Sequence, residues 1–449
     1  MYNNERIVKL IERVIFLKTT IKTMDYEKVM SLPRPERKKP LKPNWFWRIL
    51  IRILCVFGMM GSGFTYKKER MELLGKKEPC LILMNHTCFL DMEVAQRLLF
   101  PRPLNIVCSN DGFIGFFGLM SWLMRQIGCV ATQKYVSDLR LVQDMEYCLK
   151  NLKSSVLMYP EAGYSFDGTA TTLPDSLGRL VKMMKVPVVT IITHGAFHRD
   201  PLYNGLQLRK VKVSADVKYL LSPEDIAEKS ADELNAILQQ EFSFDNFRWQ
   251  QVNEVVIDEK FRADGLHRVL YKCAHCGCEH AMEGKGTELR CNACGKVYTL
   301  TEIGFLEAKD GDTRFDHIPD WYAWQREEVR KEILDGTYKL DTPVDISMLV
   351  DTKCLYNIGE GRLLHTEEGF RLTDNNGRLY FSIVPQASYS LNADYFWYEI
   401  GDVISIGDRD CLFYCFPKEK DVVVKARLAQ EELYKLKKKS RRAERKTEE

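Results

Sequence analysis

His86 stands five residues before Asp91, directly after the apolar run Leu81-Ile82-Leu83-Met84. A run of this length between polar neighbours reads as a buried strand. The polar residues behind it then lie at the strand's C-terminal end, where an α/β sheet places its chemistry. An imidazole held by a carboxylate is a general base with a fixed tautomer, suited to taking a proton from a hydroxyl as that hydroxyl attacks. Read alone, His86 could equally be a core or capping histidine, and Asp91 a first-turn acid favoured by a helix dipole. Later segments add groups to the pair. Gly128-Cys129-Val130-Ala131-Thr132-Gln133-Lys134 is a strand ending in a cation, and Tyr159-Pro160-Glu161-Ala162-Gly163-Tyr164-Ser165 is a strand running into a turn that carries a carboxylate. Val186-Pro187-Val188-Val189 opens another strand, and His194 and His198 behind it read as polar loop residues.

A second set of residues points to a metal. Cys273-Ala274-His275-Cys276 and Cys291-Asn292-Ala293-Cys294 are two C-x2-C pairs separated by 14 residues, and Gly277 and Gly295 follow directly. Each pair forms a tight knuckle that aims two thiolates at one ion. Four thiolates make a closed tetrahedral site, structural and not catalytic, of the zinc-ribbon type. His275, Cys278 and His280 rank behind the four as ligands. Lys272, Lys285, Arg290 and Lys296 are interspersed with Glu279, Glu283 and Glu288, a mixture that does not favour a nucleic-acid surface.

The elements that must position these groups follow from periodicity. Strand-like runs at 81–84, 104–109, 128–132, 155–159, 187–193 and 210–220 alternate with helical patterns at 91–100, 113–126, 138–152, 175–185 and 223–242. That alternation is the mark of an α/β domain, a mixed sheet flanked by helices. The 449 residues suffice for two or three domains, and the net charge of +3 excludes a generally basic, nucleic-acid-coating chain. We divide the chain into a basic leader (1–43), an α/β domain with an N-terminal membrane-associating helix (44–250), the zinc ribbon (267–303) and a β-rich domain with a C-terminal helix (344–443). A helical connector fills 319–335. Strands are expected at 353–357, 361–366, 369–373, 378–383, 387–392, 395–400, 403–407 and 411–416, with a hairpin turn at Asp374-Asn375-Asn376-Gly377. Strands closed by one helix resemble a pleckstrin-homology or GRAM-like barrel.

Several features point to a membrane surface. The apolar stretch Ile53–Phe64 is shorter than the ~20 residues a spanning helix needs. Trp45, Trp47, Arg48 and Arg52 before it suit a helix lying in the interface. Basic groups at Arg34, Arg37, Lys38, Lys39 and Lys42, and at Lys435, Lys437, Lys438, Lys439, Arg441, Arg442, Arg445 and Lys446, fit attraction to anionic lipid. The segment 112–124, rich in Gly, Phe and Met, suits an acyl-chain groove or a second contact helix. The opening residues lack the apolar core of a secretory signal, which places the chain on the cytoplasmic face, peripheral or monotopic. In that compartment the 14 cysteines favour metal over disulfides.

The order of blocks from His86 to Val189 resembles the glycerolipid acyltransferase family that includes 1-acylglycerol-3-phosphate acyltransferase, over roughly residues 45–220. The resemblance implies His86 and Asp91 as catalytic residues, and Asn85, Lys134, Glu161 and Gly163 as substrate-binding residues. It implies acyl-CoA or acyl carrier protein as the donor, membrane lipids as partners, and a lysophospholipid such as 1-acylglycerol-3-phosphate as acceptor. Backbone N–H groups near the motif would meet the oxyanion. The family's third block usually reads Phe-Pro-Glu-Gly-Thr-Arg. Here Ala162 replaces the Gly, Gly163 the Thr and Tyr164 the phosphate-clamping Arg, while Lys134 stands where Arg is usual. A lysine holds phosphate as a point charge and not bidentately. The acceptor therefore stays open to another lysolipid or to a lipid-like alcohol or amine. A non-catalytic lipid-binding adaptor on the same fold is the alternative.

Overall fold

A computed structural model describes residues 21–115, 118–136 and 138–448. The first twenty residues of the leader, Phe116 and Phe117 of the apolar segment, and the side chains of Arg441, Arg442, Arg445 and Lys446 lie outside the described residues.

A short strand β1 (Ile21–Thr23) opens the described chain, and the helix Trp45–Gly58 follows. Seven strands then build the first sheet: β2 (Thr65–Glu69), β3 (Leu81–Met84), β4 (Leu104–Ser109), β5 (Cys129–Thr132), β6 (Ser155–Met158), β7 (Val188–His194) and β8 (Ser214–Leu221). Their order is β2-β8-β7-β3-β6-β4-β5, with β3 at the centre. All pairs are parallel except β7 with β8, so the sheet is mixed, as expected. The central strand is apolar throughout because both faces are covered. Ile82 and Met84 point into one core with Val94 and Leu99, while Leu81 and Leu83 point into another with Met145, Cys148 and Val181.

The expected helix at 223–242 is two helices, Pro223–Glu228 and Ala231–Glu241. Ser230 restarts it through a capping box with Glu233. The expected helix at 113–126 begins at Leu119, behind Gly118 in the left-handed region. Strand β2 and the helix Asn246–Val252 lie outside the expected elements.

The ribbon is a four-stranded antiparallel sheet of β9 (Met282–Lys285), β10 (Glu288–Cys291), β11 (Val297–Leu300) and β12 (Leu306–Ala308), followed by the connector helix Ile318–Leu334. The C-terminal sheet comprises β13 (Leu340–Leu349), β14 (Leu355–Thr366), β15 (Gly369–Asp374), β16 (Tyr380–Ile383), β17 (Asn392–Trp397), β18 (Gly401–Gly407) and β19 (Leu412–Pro417), with β1 added beside β14. The helix Val422–Glu448 closes the chain. Among the described residues the order β16-β15-β14-β13-β19-β18-β17 has two ends, where a barrel would close on itself.

Three expectations change here. The separate strands at 353–357 and 361–366 are one strand, β14, and those at 387–392 and 395–400 give way to the single strand β17. The central strand β13, Leu340–Leu349, has no counterpart among the expected strands and starts four residues before the domain boundary at 344. Pro343 argues against a central strand, since it lacks a ladder donor. In β13 its carbonyl accepts from Lys418 N, just past the end of β19, so the missing N–H breaks no pair.

One hydrophobic core joins the parts. Phe166, Phe197 and Phe247 of the α/β domain pack in the same cluster as Cys273, Cys291 and Tyr298 of the ribbon, Trp321 of the connector, and Val344, Tyr395 and Ala426 of the C-terminal domain. The C-terminal sheet is thus fixed against the α/β domain by shared burial.

Candidate active site

Because β3, β6 and β5 run parallel, the loops after them converge on one rim. His86 follows β3, Glu161 follows β6 and Lys134 follows β5. Asp91 is the first residue of the helix Asp91–Leu99 and serves as the hub of the motif. Its Oδ2 receives Thr87 N at 2.7 Å and Cys88 N at 3.1 Å, and lies 3.1 Å from His86 Nδ1. Its Oδ1 accepts from Thr87 Oγ1 at 3.2 Å. With Nδ1 turned to the carboxylate, Nε2 is left to act as base. The Asp91 side chain is 1% exposed and that of His86 16%, so the ring edge is reachable while the acid is not.

Both faces of the imidazole are covered. Tyr159 stacks on it with ring centres 4.1 Å apart, and Tyr164 lies 4.0 Å away, with Phe89 packed at 5.6 Å on Tyr164. Two aromatic faces favour the imidazolium once it forms. In the resting site burial lowers the His86 pKa below its ordinary 6.5, against the raising effect of Asp91, with Lys134 adding to the lowering. The imidazole is therefore neutral at neutral pH, the state a base requires.

Glu161 is buried and braces the motif. Its Oε2 accepts from His86 N at 2.9 Å and its Oε1 from Thr171 N at 2.7 Å. Burial pushes its carboxyl up to about 7, although those two bonds hold it down. Ala162 takes a φ of +57°, a left-handed turn in which Gly is at ease. Gly163 leaves room for Tyr135: a Cβ there would lie 2.8 Å from the Tyr135 hydroxyl, which donates to the Glu161 carbonyl at 3.2 Å.

The expected site residues thus divide. His86, Asp91, Glu161 and Gly163 gather at the rim, and Lys134 is close enough for its charge to act on His86. Asn85 is fully buried and turned away: its Oδ1 accepts from Thr193 N at 2.9 Å and its Nδ2 donates to Thr193 O at 3.2 Å. It ties β3 to β7 and holds the loop in place. The backbone N–H groups of 86–88 are spent on Glu161 and Asp91, so those three do not meet an oxyanion. His194 pairs with Asp216 at 3.0 Å. His198 is no loop residue but is fully buried, its Nε2 bonded to the Asn246 carbonyl at 2.8 Å.

Residues absent from the sequence expectations come from the C-terminal domain. Arg427 donates to the Tyr164 carbonyl at 3.0 Å and lies over Phe166 at 4.5 Å. It shares Glu431 with Arg326, whose contact is 2.6 Å, and with Ser390, also at 2.6 Å. Burial opposes the Glu431 charge, but Arg326 and Arg427 hold its carboxyl down at about 2. Tyr389 packs on Tyr135 at 5.3 Å, and Trp397 Nε1 donates to Asp111 at 3.1 Å. The one sequence signal was indirect: Tyr164 breaks the family pattern where these residues arrive.

The four cysteines form a separate centre. Their sulfurs all lie within 4.8 Å of one another. Cys273 and Cys294 are 3.9 Å apart and Cys276 and Cys291 3.8 Å. A tetrahedron with Zn–S arms of about 2.3 Å has edges of about 3.8 Å, so the thiols fit a zinc-sized ion. Gly277 and Gly295, at φ +73° and +78°, close each knuckle by donating to the carbonyls of Cys273 and Cys291.

Residues 65–194 match the family model described as Acyltransferase, a span holding His86, Asp91, Lys134, Glu161 and Gly163. This stretch is an acyltransferase domain. The match is in line with the glycerolipid acyltransferase motif order, and it leaves the ribbon and C-terminal sheet outside. Among solved structures the protein is similar to the 1-acyl-sn-glycerophosphate (LPA) acyltransferase PlsC from Thermotoga maritima, at 14% identity over 43% of this chain and 75% of that one, with a TM-score of 0.34. The assignment rests on the family match and not on that likeness. No curated protein matches the chain.

Proposed function

We propose that the acyltransferase domain moves a fatty acyl group from a thioester, acyl-CoA or acyl carrier protein, to a hydroxyl of a lysolipid. The 3.1 Å contact between His86 Nδ1 and Asp91 carries this reading. His86 Nε2 takes the acceptor's proton as its oxygen attacks the thioester carbonyl. When the tetrahedral intermediate collapses, the C–S bond breaks and the proton passes to the leaving thiolate, giving ester and free thiol. Asp91 holds the ring and offsets the imidazolium charge throughout. Glu161 and Gly163 shape the acceptor side, with Lys134 as its cation.

The same reading places the domain on a membrane as a peripheral or monotopic protein of the cytoplasmic face. No helix among the described residues is long and apolar enough to cross a membrane. On the helix Trp45–Gly58, Arg48 folds back to donate to the Pro101 carbonyl at 2.7 Å, while Trp45, Phe46, Ile53, Leu54 and Phe57 face outward. Trp47 packs edge-on against Trp122 at 5.8 Å, and Leu119 and Trp122 extend the apolar surface. The leader's cations support this less, since Arg37 pairs with Asp144 and Lys42 donates to the Lys153 carbonyl. The four cysteines hold zinc as a structural ion.

Incubating the purified protein with long-chain acyl-thioester and a panel of lysolipids, followed by mass spectrometry, tests the reading. An acylated lysolipid and free thiol are expected. Vesicle binding without turnover across the panel would favour the adaptor alternative, which the change to Tyr164 supports.

A further inference from the structure

Strand β2 is an open edge of the seven-stranded sheet: β8 pairs with one side of it, and no strand among the described residues pairs with the other. All of its residues, Thr65–Glu69, are exposed. Lysines on an edge strand ordinarily do no more than discourage pairing with another chain. Here they belong to a larger arrangement. Phe64 and Tyr66 stack with ring centres 6.1 Å apart, Arg97 lies over Phe64 at 5.5 Å, and Lys68 lies over Tyr66 at 5.4 Å. Aromatic rings and cations thus alternate along this edge, and Tyr66 and Leu73 are exposed beside them.

The charge here is one-sided. Glu69 is taken by Lys218 at 3.4 Å, and Asp216, which faces Lys67 across the strand pair, is bonded to His194 at 3.0 Å. Between Thr65 and Lys77 this leaves Lys67, Lys68, Arg70, Lys76 and Lys77 against Glu72. The cations of the leader and the closing helix are, by contrast, partly spent: Arg37 pairs with Asp144, Lys435 with Glu432 and Lys438 with Asp175.

The edge adjoins the exposed apolar face of the helix Trp45–Gly58. The end of the helix Asp91–Leu99 joins the two: Arg97 meets Phe64, while Phe100 packs on Trp45 at 5.8 Å and carries Arg52 over its ring at 5.8 Å. The chain itself passes from the helix to β2 through the exposed Met60. Exposed aromatics flanked by long cationic side chains suit the boundary of a bilayer, where rings sit at headgroup level and amines reach the phosphates. A soluble polyanion would use the lysines but not Trp45, Phe57 and Met60 beside them.

We infer that the β2 edge, from Phe64 to Lys77, is a contact surface for anionic phospholipid headgroups. The protein docks on negatively charged bilayers through this edge and not through its basic leader or closing helix. The inference rests on the membrane reading above, because it takes the exposed face of the helix Trp45–Gly58 as the inserted part.

The test is sedimentation of the purified full chain with vesicles of phosphatidylcholine alone and of phosphatidylcholine with about one-third phosphatidylglycerol. Each lysine near an anionic surface is worth up to about fivefold in binding, so Lys67→Gln/Lys68→Gln is expected to cut the preference for anionic over neutral vesicles about tenfold. Lys76→Gln/Lys77→Gln should act in the same direction. Lys437→Gln/Lys439→Gln on the closing helix should leave the preference in place, and all three variants should melt as the wild type does. High salt, which screens exposed charges, should erase the preference. Equal binding to both vesicles, or a preference unmoved by the β2 substitutions, overturns the inference and leaves the membrane reading standing. Binding to neither vesicle defeats both. An oligonucleotide bound as tightly as the anionic vesicles, and lost with the same lysines, would assign the edge to nucleic acid and overturn the inference. So would self-association that Lys67→Gln/Lys68→Gln abolishes without a change in vesicle binding, which would assign it to a second copy of the chain.

Discussion

The seven-stranded sheet and the C-terminal domain meet at the turn that follows Glu161 and support the site in different ways. The first delivers groups from loops at strand ends: His86 and Asp91 after β3, Glu161 after β6, Lys134 after β5. The second reaches the motif with Arg427 of the closing helix, which donates to the Tyr164 carbonyl, and with Tyr389, packed on Tyr135. The geometry of the sheets accounts for the contrast. Parallel strands place their C-terminal ends on one rim, so their loops converge there. An antiparallel sheet alternates its ends and meets a partner with a face. Chemistry at this site is thus local in sequence, while its support is tertiary.

The contrast can be broken in several ways. The largest effect is expected from the ribbon, whose buried Cys273 and Cys291 sit in the core shared by both sheets. Metal binding by such sites contributes on the order of 10 kcal/mol to folding. Chelation or Cys291→Ser should therefore lower the melting temperature of the whole chain in one transition, read by calorimetry. Two separate transitions would mean that the sheets are independent. Next comes Arg427→Ala, which removes one of the two cations on the buried Glu431, leaving Arg326, and frees the Tyr164 carbonyl. Removing the only partner of a buried charge costs about 3–5 kcal/mol, so with Arg326 still in place a loss toward the lower end, about 3 kcal/mol, is expected by urea unfolding. A change near zero would show that the closing helix does not brace the motif.

A smaller loss is expected from Glu161→Gln, which cannot accept from both His86 N and Thr171 N. An unsatisfied buried donor costs about 1–3 kcal/mol, and the rate of acyl transfer should fall with it. The smallest change is a gain. Ala162→Gly relieves the left-handed turn at φ +57° and should stabilise the protein by about 1 kcal/mol in the same unfolding assay.

What the sequence disclosed follows the same division. Strands β3 and β4 lie at the expected positions, and β3 shows because an apolar run of its length, bounded by polar residues, is too short for a buried helix. The four cysteines show because one ion fixes their spacing. Asn85 was legible as part of the motif but not in its role. Its position beside His86 suggests the pocket, whereas the pleat turns it toward Thr193. Strand β13 has no counterpart among the expected strands: Pro343 counts against a central strand, and its harmlessness depends on where β19 ends. Arg427 carries no local signal, since its work depends on a packing that brings Tyr164 against a residue 263 positions away.

The central claim is that His86 is the base and Asp91 its orienting acid. The most direct measurement is the pH–rate profile of thioester-dependent acyl transfer by wild type and His86→Ala. The wild-type kcat/KM should rise with pH through a pKa below 6.5 and level off above it, because burial lowers the His86 pKa and the neutral ring is the active form. His86→Ala should lose about 10³-fold at the plateau, the usual scale of a general base. A His86→Ala protein that keeps the wild-type rate and the same acid limb would contradict the account.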